Sequence, residues 1–312
     1  MAEPALTPLK IVVLTALPVE FQAVREHISD IHEEVHPAGT IYKCGTFMVP
    51  AGNWDVALAQ VGAGNPGAAF EAERAIQYFQ PQMVLFVGVA GGLKEKDVRL
   101  GDVVAATKIY GYEFGKASKR FQPRPEVGLV SYAMEQRARA EACEDEWRRR
   151  IKGSGASRSP AEAGGPHVLV GPIAAGEKVL KSRSVELAAL LRATYDDALA
   201  IEMEGYGFLK AVHAHHSIQA LVVRGISDLI EGKDEADAQN WQEIASRHAS
   251  AFAFEILAKS TPHEAARLPE SIPQEKQVQP VVQSGESDTY KIQFHGPVQN
   301  VAIGEQSQII NH

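Results

Sequence analysis

The chain has 312 residues, of which 45% are hydrophobic, and a formal net charge of −8 at pH 7. This length allows one large or two modest domains, and the acidic balance argues against a nucleic-acid-binding protein, which needs a basic face. No run of about 18 apolar residues predicts a membrane span, and the N-terminus lacks a signal-peptide pattern. Cys44 and Cys143 form neither a disulfide framework nor a zinc quartet, so we expect a cytoplasmic protein.

The N-terminal segment predicts a buried strand followed by a helix. Residues 10–16 are continuously apolar, as in a strand covered on both faces of a parallel sheet. An amphipathic helix follows to about Ile28, with Pro18 in its first turn. Glu20 then lies just past the C-terminal end of a strand, where ligands gather in open α/β sheets. The alternative is a first-turn Glu that only complements the helix dipole.

Two glycine-rich segments follow the next strands. Residues 41–49 and 54–61 predict strands joined by a hairpin-like turn. Residues 62–67 spell GxGxxG before a helix at 68–79, as in a dinucleotide site. Such a site also needs an acid after the next strand, but the strand at 83–87 runs into Gly-Val-Ala-Gly-Gly. We therefore reject a nicotinamide enzyme and expect close approach of these backbone segments to a ligand.

Residues 110–124 carry cations among aromatic residues in an otherwise acidic chain. The cations are Lys116, Lys119, Arg120 and Arg124. One interpretation is a solvated basic loop. The other is a phosphate-binding loop, with Lys116, Arg120 and Arg124 as the candidate ligands.

The second half of the chain continues the alternation of strands and helices. The pattern predicts helices at 126–150, 182–193, 204–213 and 239–259, strands at 167–175 and 219–224, and a surface loop at 151–166. Asp228 follows the last strand and either binds a ligand or caps a turn. His213, His215 and His216 have no accompanying acidic ligands, so we predict no metal site.

Residues 198–207 place two carboxylates, Glu202 and Glu204, among apolar and small residues. A buried ionised carboxylate is costly unless it is paired. If a strand runs through both residues, their side chains face one cavity. The alternative is a solvated helix start, where Glu is favoured.

The C-terminal composition predicts a separate tail. Residues 261–288 are rich in Pro, Glu, Gln and Ser, as in a linker. Residues 290–312 suggest two short strands, which are marginal alone and so pair with another chain or a protein partner. We predict a domain at 1–259, a flexible linker at 260–289 and a β tail at 290–312.

Several separated segments together resemble the nucleoside phosphorylase superfamily, closest to the methylthioadenosine/S-adenosylhomocysteine nucleosidases. They are residues 11–20, 61–64, 87–92 with 101–102, 201–204 and 223–228. The resemblance covers residues 9–259. It implies a three-layer α/β fold with a central mixed, twisted sheet flanked by helices, a homo-oligomer, and no cofactor.

The resemblance also implies roles for individual residues. Glu204 holds the ribose 2′ and 3′ hydroxyls, Met203 packs against the sugar, Asp228 protonates the purine at N7, and Glu20 activates water. The other implied substrate-binding residues are Glu202, Gly64, Ala90, Gly91, Glu177, Val179 and Arg224. Residues 176–180 depart from the nucleosidases, because the aromatic residue that stacks on adenine is missing.

These residues predict a hydrolase that cleaves the N-glycosidic bond of a purine, namely adenine, nucleoside or nucleotide. The reaction builds positive charge on the sugar, which carboxylates stabilise. Residues 17–20 supply an acid and no Arg, which favours hydrolysis over the alternative, phosphorolysis. Residues 294–304 resemble short C-terminal segments of bacterial defence proteins, in some of which a phosphorylase-like domain degrades ATP. An ATP-degrading effector and a non-catalytic nucleotide-sensing module therefore stay open.

Overall fold

The computed structural model describes residues 9–50, 52–94, 96–118, 121–153, 165–178, 186–229 and 240–260. All of them belong to the first of the chain's two compact units, residues 1–268. The predictions for Arg120, Val179, the linker and the β tail lie outside the described residues. The predicted domain boundaries and the partner of the tail therefore stay predictions.

The described chain alternates strands and helices along most of its length. The strands are β1 Leu9–Thr15, β2 Ser29–Val35, β3 Ile41–Val49, β4 Gly52–Gln60, β5 Met83–Gly92, β6 Val103–Gly111, β7 Gly115–Lys116, β8 Gln122–Pro123, β9 Glu126–Leu129, β10 Val168–Ala175, β11 Ala200–Glu202 and β12 Gln219–Leu229. The helices are α1 Pro18–Arg25, α2 Asn65–Phe79, α3 Tyr132–Ala142, α4 Glu186–Thr194, α5 Gly205–Val212 and α6 Trp241–Lys259, with a 3-10 helix at Glu146–Arg150. Among the described residues, no helix combines the length and hydropathy that a membrane crossing requires.

Ten described strands form one mixed sheet. Its order is β11–β10–β6–β12–β5–β1–β4–β3–β2, with β9 added beside β6. The central strands β12, β5, β1 and β4 run parallel to one another, and their continuous apolar runs are buried because helices cover the sheet. Helix α6 packs on β12 and β5 together with α1, whereas α2 and α5 pack on each other.

The short strand β11 closes part of the sheet on itself. It pairs in parallel with β10 and antiparallel with the end of β5, where Ala200 lies opposite Gly92 and Ile201 opposite Gly91. Strands β11, β10, β6, β12 and β5 thus form a closed ring. This closure carries the Glu202–Glu204 segment to the glycine-rich end of β5.

The structure corrects two sequence predictions. Strand β2 is absent from the prediction, because its polar sequence lies at the exposed edge of the sheet and gives no apolar alternation. The single helix predicted at 126–150 is wrong: residues 126–129 form β9 on β6, and only α3 and the 3-10 helix are helical. Gly128 lets β9 approach α5, since a Cβ there would lie 2.9 Å from the Leu209 Cβ.

The approach of β12 to α6 depends on Gly225. A Cβ at this position would overlap the backbone carbonyl of Ala245 in α6. We expect Gly225→Ala to lower the free energy of unfolding by about 1–3 kcal/mol, or more, because the packed backbone must shift. Gly67→Ala is the control, since its Cβ would meet nothing closer than 3.7 Å at the start of α2. Equal stability of the two variants in urea denaturation would contradict this packing.

Candidate functional site

The glycine-rich half of β5, Gly88–Gly92, is the meeting point of three distant parts of the chain. Arg224 of β12 lies opposite Gly88, and Asp228 lies opposite Gly91. Strand β11 pairs with the end of β5. Glu20 of α1 accepts the backbone N–H of Val89 in β5. The predicted acids therefore lie along one strand end.

A fully buried arginine, Arg224, is the centre of the cluster. Its Nη2 donates to the carboxylate of Glu202 in a close ion pair and to Glu204 Oε2 at 3.1 Å. The guanidinium carbon lies 4.7 Å from the centroid of the Phe86 ring, within the range of a cation–π contact. Among the described residues, its Nε and Nη1 have no hydrogen-bond partner. A buried donor without a partner is costly, so Nη1 marks a position of functional interest.

Glu202 fixes the turn between β11 and α5. Its carboxylate accepts the backbone N–H of Glu204 at 3.0 Å and that of Gly205 at 2.8 Å. A Cβ on Gly205 would lie 3.0 Å from Glu202 Oε1, tighter than ordinary packing allows. Glu202 therefore both neutralises Arg224 and holds the residues that carry Glu204.

Glu204 directly precedes α5 and is buried. Its Oε1 accepts the backbone N–H of Gly64 at 3.0 Å, so it ties the first glycine-rich segment to the cluster. Burial raises the pKa of Glu204 to about 7, with Arg224 opposing and the charges of Glu202 and Glu20 adding to the rise. The alternative of a solvated helix start is wrong, because Glu202 and Glu204 are both buried. The strand ends at Glu202 and does not run through both residues, yet the two carboxylates share one buried cation.

Glu20 is buried at the start of α1, with 2% of its surface exposed. Its carboxylate accepts backbone N–H groups of Ala16, Leu17 and Val89, each at 2.8 Å. Burial raises the pKa of Glu20, while Arg224 and these hydrogen bonds lower it in part. A Cβ on Gly88 would overlap Arg224 Nη1 and lie 2.5 Å from Glu20 Oε1. Arg224 and Glu20 therefore face the same point above Gly88.

Asp228 of β12 lies beside Gly91, farther toward the end of β5. Its Oδ1 accepts the hydroxyl of Ser227 at 2.8 Å, and a Cβ on Gly91 would lie 3.2 Å from its Oδ2. Gly88 and Gly91 are three residues apart, which is about 10 Å in an extended strand. Asp228 thus lines the same strand end as Glu20 but does not join the ion pairs around Arg224.

The sequence analysis missed Asn65, which clamps the glycine-rich segment after β4. Its N–H and Nδ2 donate to Glu177 Oε1 at 3.1 and 2.9 Å, and its Oδ1 accepts the N–H of Gly207 at 2.8 Å. Gly64, with φ of +109°, precedes it and lies close to Glu177. Asn65 therefore joins the start of α2 to Glu177 and to the start of α5.

The remaining predicted residues are distributed around this cluster. Ala90 is buried, and Gly91 and Met203 are half-buried. Lys116 and Arg124 are exposed on the β7–β8 hairpin, and none of the ion pairs among described residues joins them to the buried carboxylates. Phe114, next to this hairpin, has its ring centroid 5.1 Å from that of Tyr206 in α5.

The cluster suits acid–base chemistry on a polar ligand that gains positive charge during the reaction. Burial raises the pKa of Glu20 and raises that of Glu204 to about 7, so Glu204 can carry or accept a proton near neutral pH. Arg224 offsets the carboxylate charges, which disfavours a metal ion there. A separate cavity of about 420 Å³ lies beside Val19 at the start of α1. None of the buried acids lines it, so the carboxylate cluster defines the site.

Comparisons with known proteins give a family and named relatives. A family model described as the phosphorylase superfamily matches residues 10–258. An ATP nucleosidase, Cap17, of Escherichia coli (strain KTE188) is 30% identical over 265 residues, covering 79% of this chain and 50% of that protein. A 5′-methylthioadenosine/S-adenosylhomocysteine nucleosidase of Haemophilus ducreyi is 24% identical over 261 residues, covering 80% and 97%. The matched region thus spans half the length of the first relative.

The fold has solved counterparts. The crystal structure of a Helicobacter pylori 5′-methylthioadenosine/S-adenosylhomocysteine nucleosidase, complexed with a pyrrolidin-3-ol compound, superposes with a TM-score of 0.64 at 21% identity. It covers 81% of this chain and 99% of that chain. The predicted α/β fold, with a central mixed sheet flanked by helices, is therefore confirmed.

The raised pKa of Glu204 makes stability depend on pH. Between pH 4.5 and about 7 the carboxyl group of Glu204 is protonated more fully in the folded state than in the unfolded chain. The free energy of unfolding therefore falls as the pH rises through that window. Glu204→Gln removes the charge but keeps an acceptor for Gly64. We expect the free energy of unfolding of the variant, minus that of the wild type, to rise by up to about 3 kcal/mol as the pH goes from 5 to 8. Loss of the Arg224 partner adds only an offset that does not depend on pH.

Urea denaturation at a series of pH values measures this difference. The exposed Asp97→Asn is the control and should follow the wild type at every pH. A constant difference between Glu204→Gln and wild type from pH 5 to 8 would contradict the raised pKa.

Proposed function

The chain belongs to the phosphorylase superfamily, and from this membership we propose that it is a hydrolase that cleaves the N-glycosidic bond of an adenine nucleoside or nucleotide. The products are the free base and the ribosyl fragment. Support comes from two relatives whose names denote nucleosidases, the Cap17 ATP nucleosidase and the Haemophilus ducreyi enzyme.

The observation that carries the proposal is that Glu20 and Arg224 meet above Gly88, with Glu204 bound to Arg224. Asp228 of β12 lies opposite Gly91, three residues farther along β5, or about 10 Å in an extended strand. Cleavage of an N-glycosidic bond needs an acid at the leaving base, negative charge near the sugar, and a base for water. The spacing along β5 separates the acid for the base from the groups for sugar and water, as a ribosylated purine requires.

At the leaving base, Asp228 donates a proton to N7 of the purine. The electron pair of the C–N bond then goes to the base, which leaves as a neutral molecule. The Ser227 hydroxyl, 2.8 Å from Asp228 Oδ1, stabilises the carboxylate that remains, because hydrogen bonds favour the charged form.

At the sugar, Glu204 accepts hydrogen bonds from the 2′ and 3′ hydroxyls, and its charge favours the cationic sugar of the transition state. Glu202 and Gly64 hold this carboxylate through Arg224 and a direct hydrogen bond. Met203, half-buried beside Glu204, packs against the sugar. Glu202 is a positioning residue in this proposal.

The attacking water is held by Glu20. Glu20 accepts a proton from the water while the oxygen bonds to C1′ of the sugar. The positive charge of Arg224 lies close enough to Glu20 to oppose part of the rise in the Glu20 pKa. Burial raises the pKa of Glu20, which makes it a stronger base.

Water is favoured over phosphate as the nucleophile. The backbone N–H groups of Ala16 and Leu17 at the start of α1 would suit a phosphate, but the Glu20 carboxylate already accepts both. A phosphate at this point would also meet the negative charge of Glu20. Phosphorolysis therefore requires this carboxylate to leave its hydrogen bonds.

We expect Glu20→Gln and Asp228→Asn each to lower the rate of adenine release at least about a hundredfold, because each removes one proton-transfer group. Chromatography of products from a panel of adenine nucleosides and nucleotides, with and without phosphate, measures this. Glu135→Gln on α3 is the control and should match the wild type. Release that depends on phosphate would indicate phosphorolysis, and nucleotide binding without any release would indicate a sensing module.

Within this function, a nucleotide such as ATP is a second candidate substrate beside a thioether nucleoside. The Cap17 relative is named for ATP, and Lys116 and Arg124 are exposed on a hairpin that contacts α5 through Phe114. Helix α5 begins directly after Glu204. Cations on this hairpin suit the phosphates of a nucleotide whose ribose lies at Glu204.

We expect the double variant Lys116→Glu/Arg124→Glu to raise the KM for ATP at least about tenfold, since phosphates would meet two new negative charges, and to leave cleavage of 5′-methylthioadenosine unchanged. The matched control is Lys96→Glu/Arg149→Glu, which makes the same charge change at exposed positions elsewhere. Steady-state kinetics with both substrates measure the effect. Unchanged ATP cleavage in the hairpin variant would remove the case for these two cations.

A further inference from the structure

A second group of chemically reactive side chains lies at the free edge of the sheet, on β2 and β3. Ligand atoms of His32, Glu34 and Cys44 all lie within 4.8 Å of one another. Strand β2 is four strands from β5 in the sheet order, about 19 Å at the usual strand spacing. The group is therefore separate from the carboxylate cluster and has no part in the proposed reaction.

The strand pairing brings the three residues to one face. His32 lies directly opposite Cys44 in the antiparallel pair, and Glu34 is two residues beyond His32, so its side chain points to the same side. A bulge between Ser29 and His32 precedes the group, with Asp30 at a φ of +52°. Bulges re-aim side chains and are common next to functional sites.

Two neighbouring groups orient the side chains. The Nδ1 of His32 lies 3.4 Å from the backbone carbonyl oxygen of Asp30. A carbonyl oxygen can only accept, so the tautomer that suits this contact carries its proton on Nδ1 and has Nε2 as the metal ligand. The Tyr78 hydroxyl, on α2, lies near Glu34, and interaction with that carboxylate raises the pKa of the hydroxyl. Metal-binding histidines and carboxylates usually have such outer partners.

We propose that His32, Glu34 and Cys44 bind one divalent transition-metal cation of the Zn²⁺ class. Nitrogen, oxygen and sulfur ligands together suit Zn²⁺, whereas Mg²⁺ and Ca²⁺ prefer sites made of oxygen ligands alone. The Cys44 thiol donates to Glu34 Oε2 at 3.5 Å. On binding, its proton is released to solvent and the thiolate and carboxylate charges neutralise the cation. Three protein ligands leave a fourth position for water.

Such a cation would fasten β2 to β3. Because β2 is the edge strand of the described sheet, it presents unpaired backbone groups on its outer side. A cation held by both strands fixes this exposed strand in register. The site is therefore assigned a structural role at the sheet edge, with an open position that a ligand can reach.

The test is metal binding to the full chain, without an affinity tag. We expect one equivalent of Zn²⁺ to bind in competition with a chromophoric chelator. We expect Co²⁺ to give the near-ultraviolet charge-transfer band of a cobalt–thiolate bond. His32→Ala, at an exposed position, and Cys44→Ser should each weaken Zn²⁺ binding at least about tenfold, and Cys44→Ser should abolish the Co²⁺ band.

Matched controls come from the same chain. His36→Ala, on the same hairpin, and Cys143→Ser, at the exposed cysteine, should bind both metals as the wild type does, with unchanged circular dichroism in all variants. No binding of Zn²⁺ by the wild type at micromolar concentration would overturn the proposal. Retained binding in His32→Ala and Cys44→Ser would also overturn it, since the cation would then lie elsewhere, for example at His213, His215 and His216.

Discussion

The described fold around the site depends on one buried cation. Arg224 has none of its surface exposed and is paired with Glu202 and Glu204. It also lies close enough to Glu20 to offset part of the rise that burial causes in the Glu20 pKa. Removing one member of a buried ion pair typically costs about 3–5 kcal/mol, because the other charge is left without compensation. Loss of Arg224 would leave several buried carboxylates in that state. The cluster therefore fixes the positions of β11, β12 and α1 together.

Glycines make this arrangement sterically possible. Gly88 lies where Arg224 and Glu20 meet, and a Cβ there has no room. Gly91 lets Asp228 approach β5, and Gly205 lets Glu202 fold back on the turn. Glycines at the strand ends therefore allow the carboxylates to approach the backbone closely.

The motif residue Asp102 has a structural role away from this cluster. Its carboxylate accepts the backbone N–H groups of Arg99 and His167, each at 2.9 Å, and so joins two segments of the chain. Much of the central sheet could be predicted from the sequence, because buried parallel strands such as β1 and β5 are continuous apolar runs. The edge strand β2 could not, since it is polar and gains its structure from pairing with β3.

The pattern around Glu202 and Glu204 could not choose between strand and helix start. The structure divides them: β11 ends at Glu202, and Glu204 precedes α5. Their shared partner Arg224 is 22 and 20 residues away in the chain, and spacing alone does not identify it. Family membership, first inferred from separated motifs, is confirmed by the family model. Asn65 was missed because its three hydrogen bonds join segments more than 100 residues apart, and such contacts leave no local signal.

The most direct measurement is a crystal structure of the Glu20→Gln variant with an adenine nucleoside or nucleotide bound. We predict ribose hydroxyls within hydrogen-bond distance of Glu204, N7 of the base at Asp228, and a water molecule beside residue 20. A ligand that contacts neither Glu204 nor Asp228, or that binds away from Gly88–Gly92, would contradict the account.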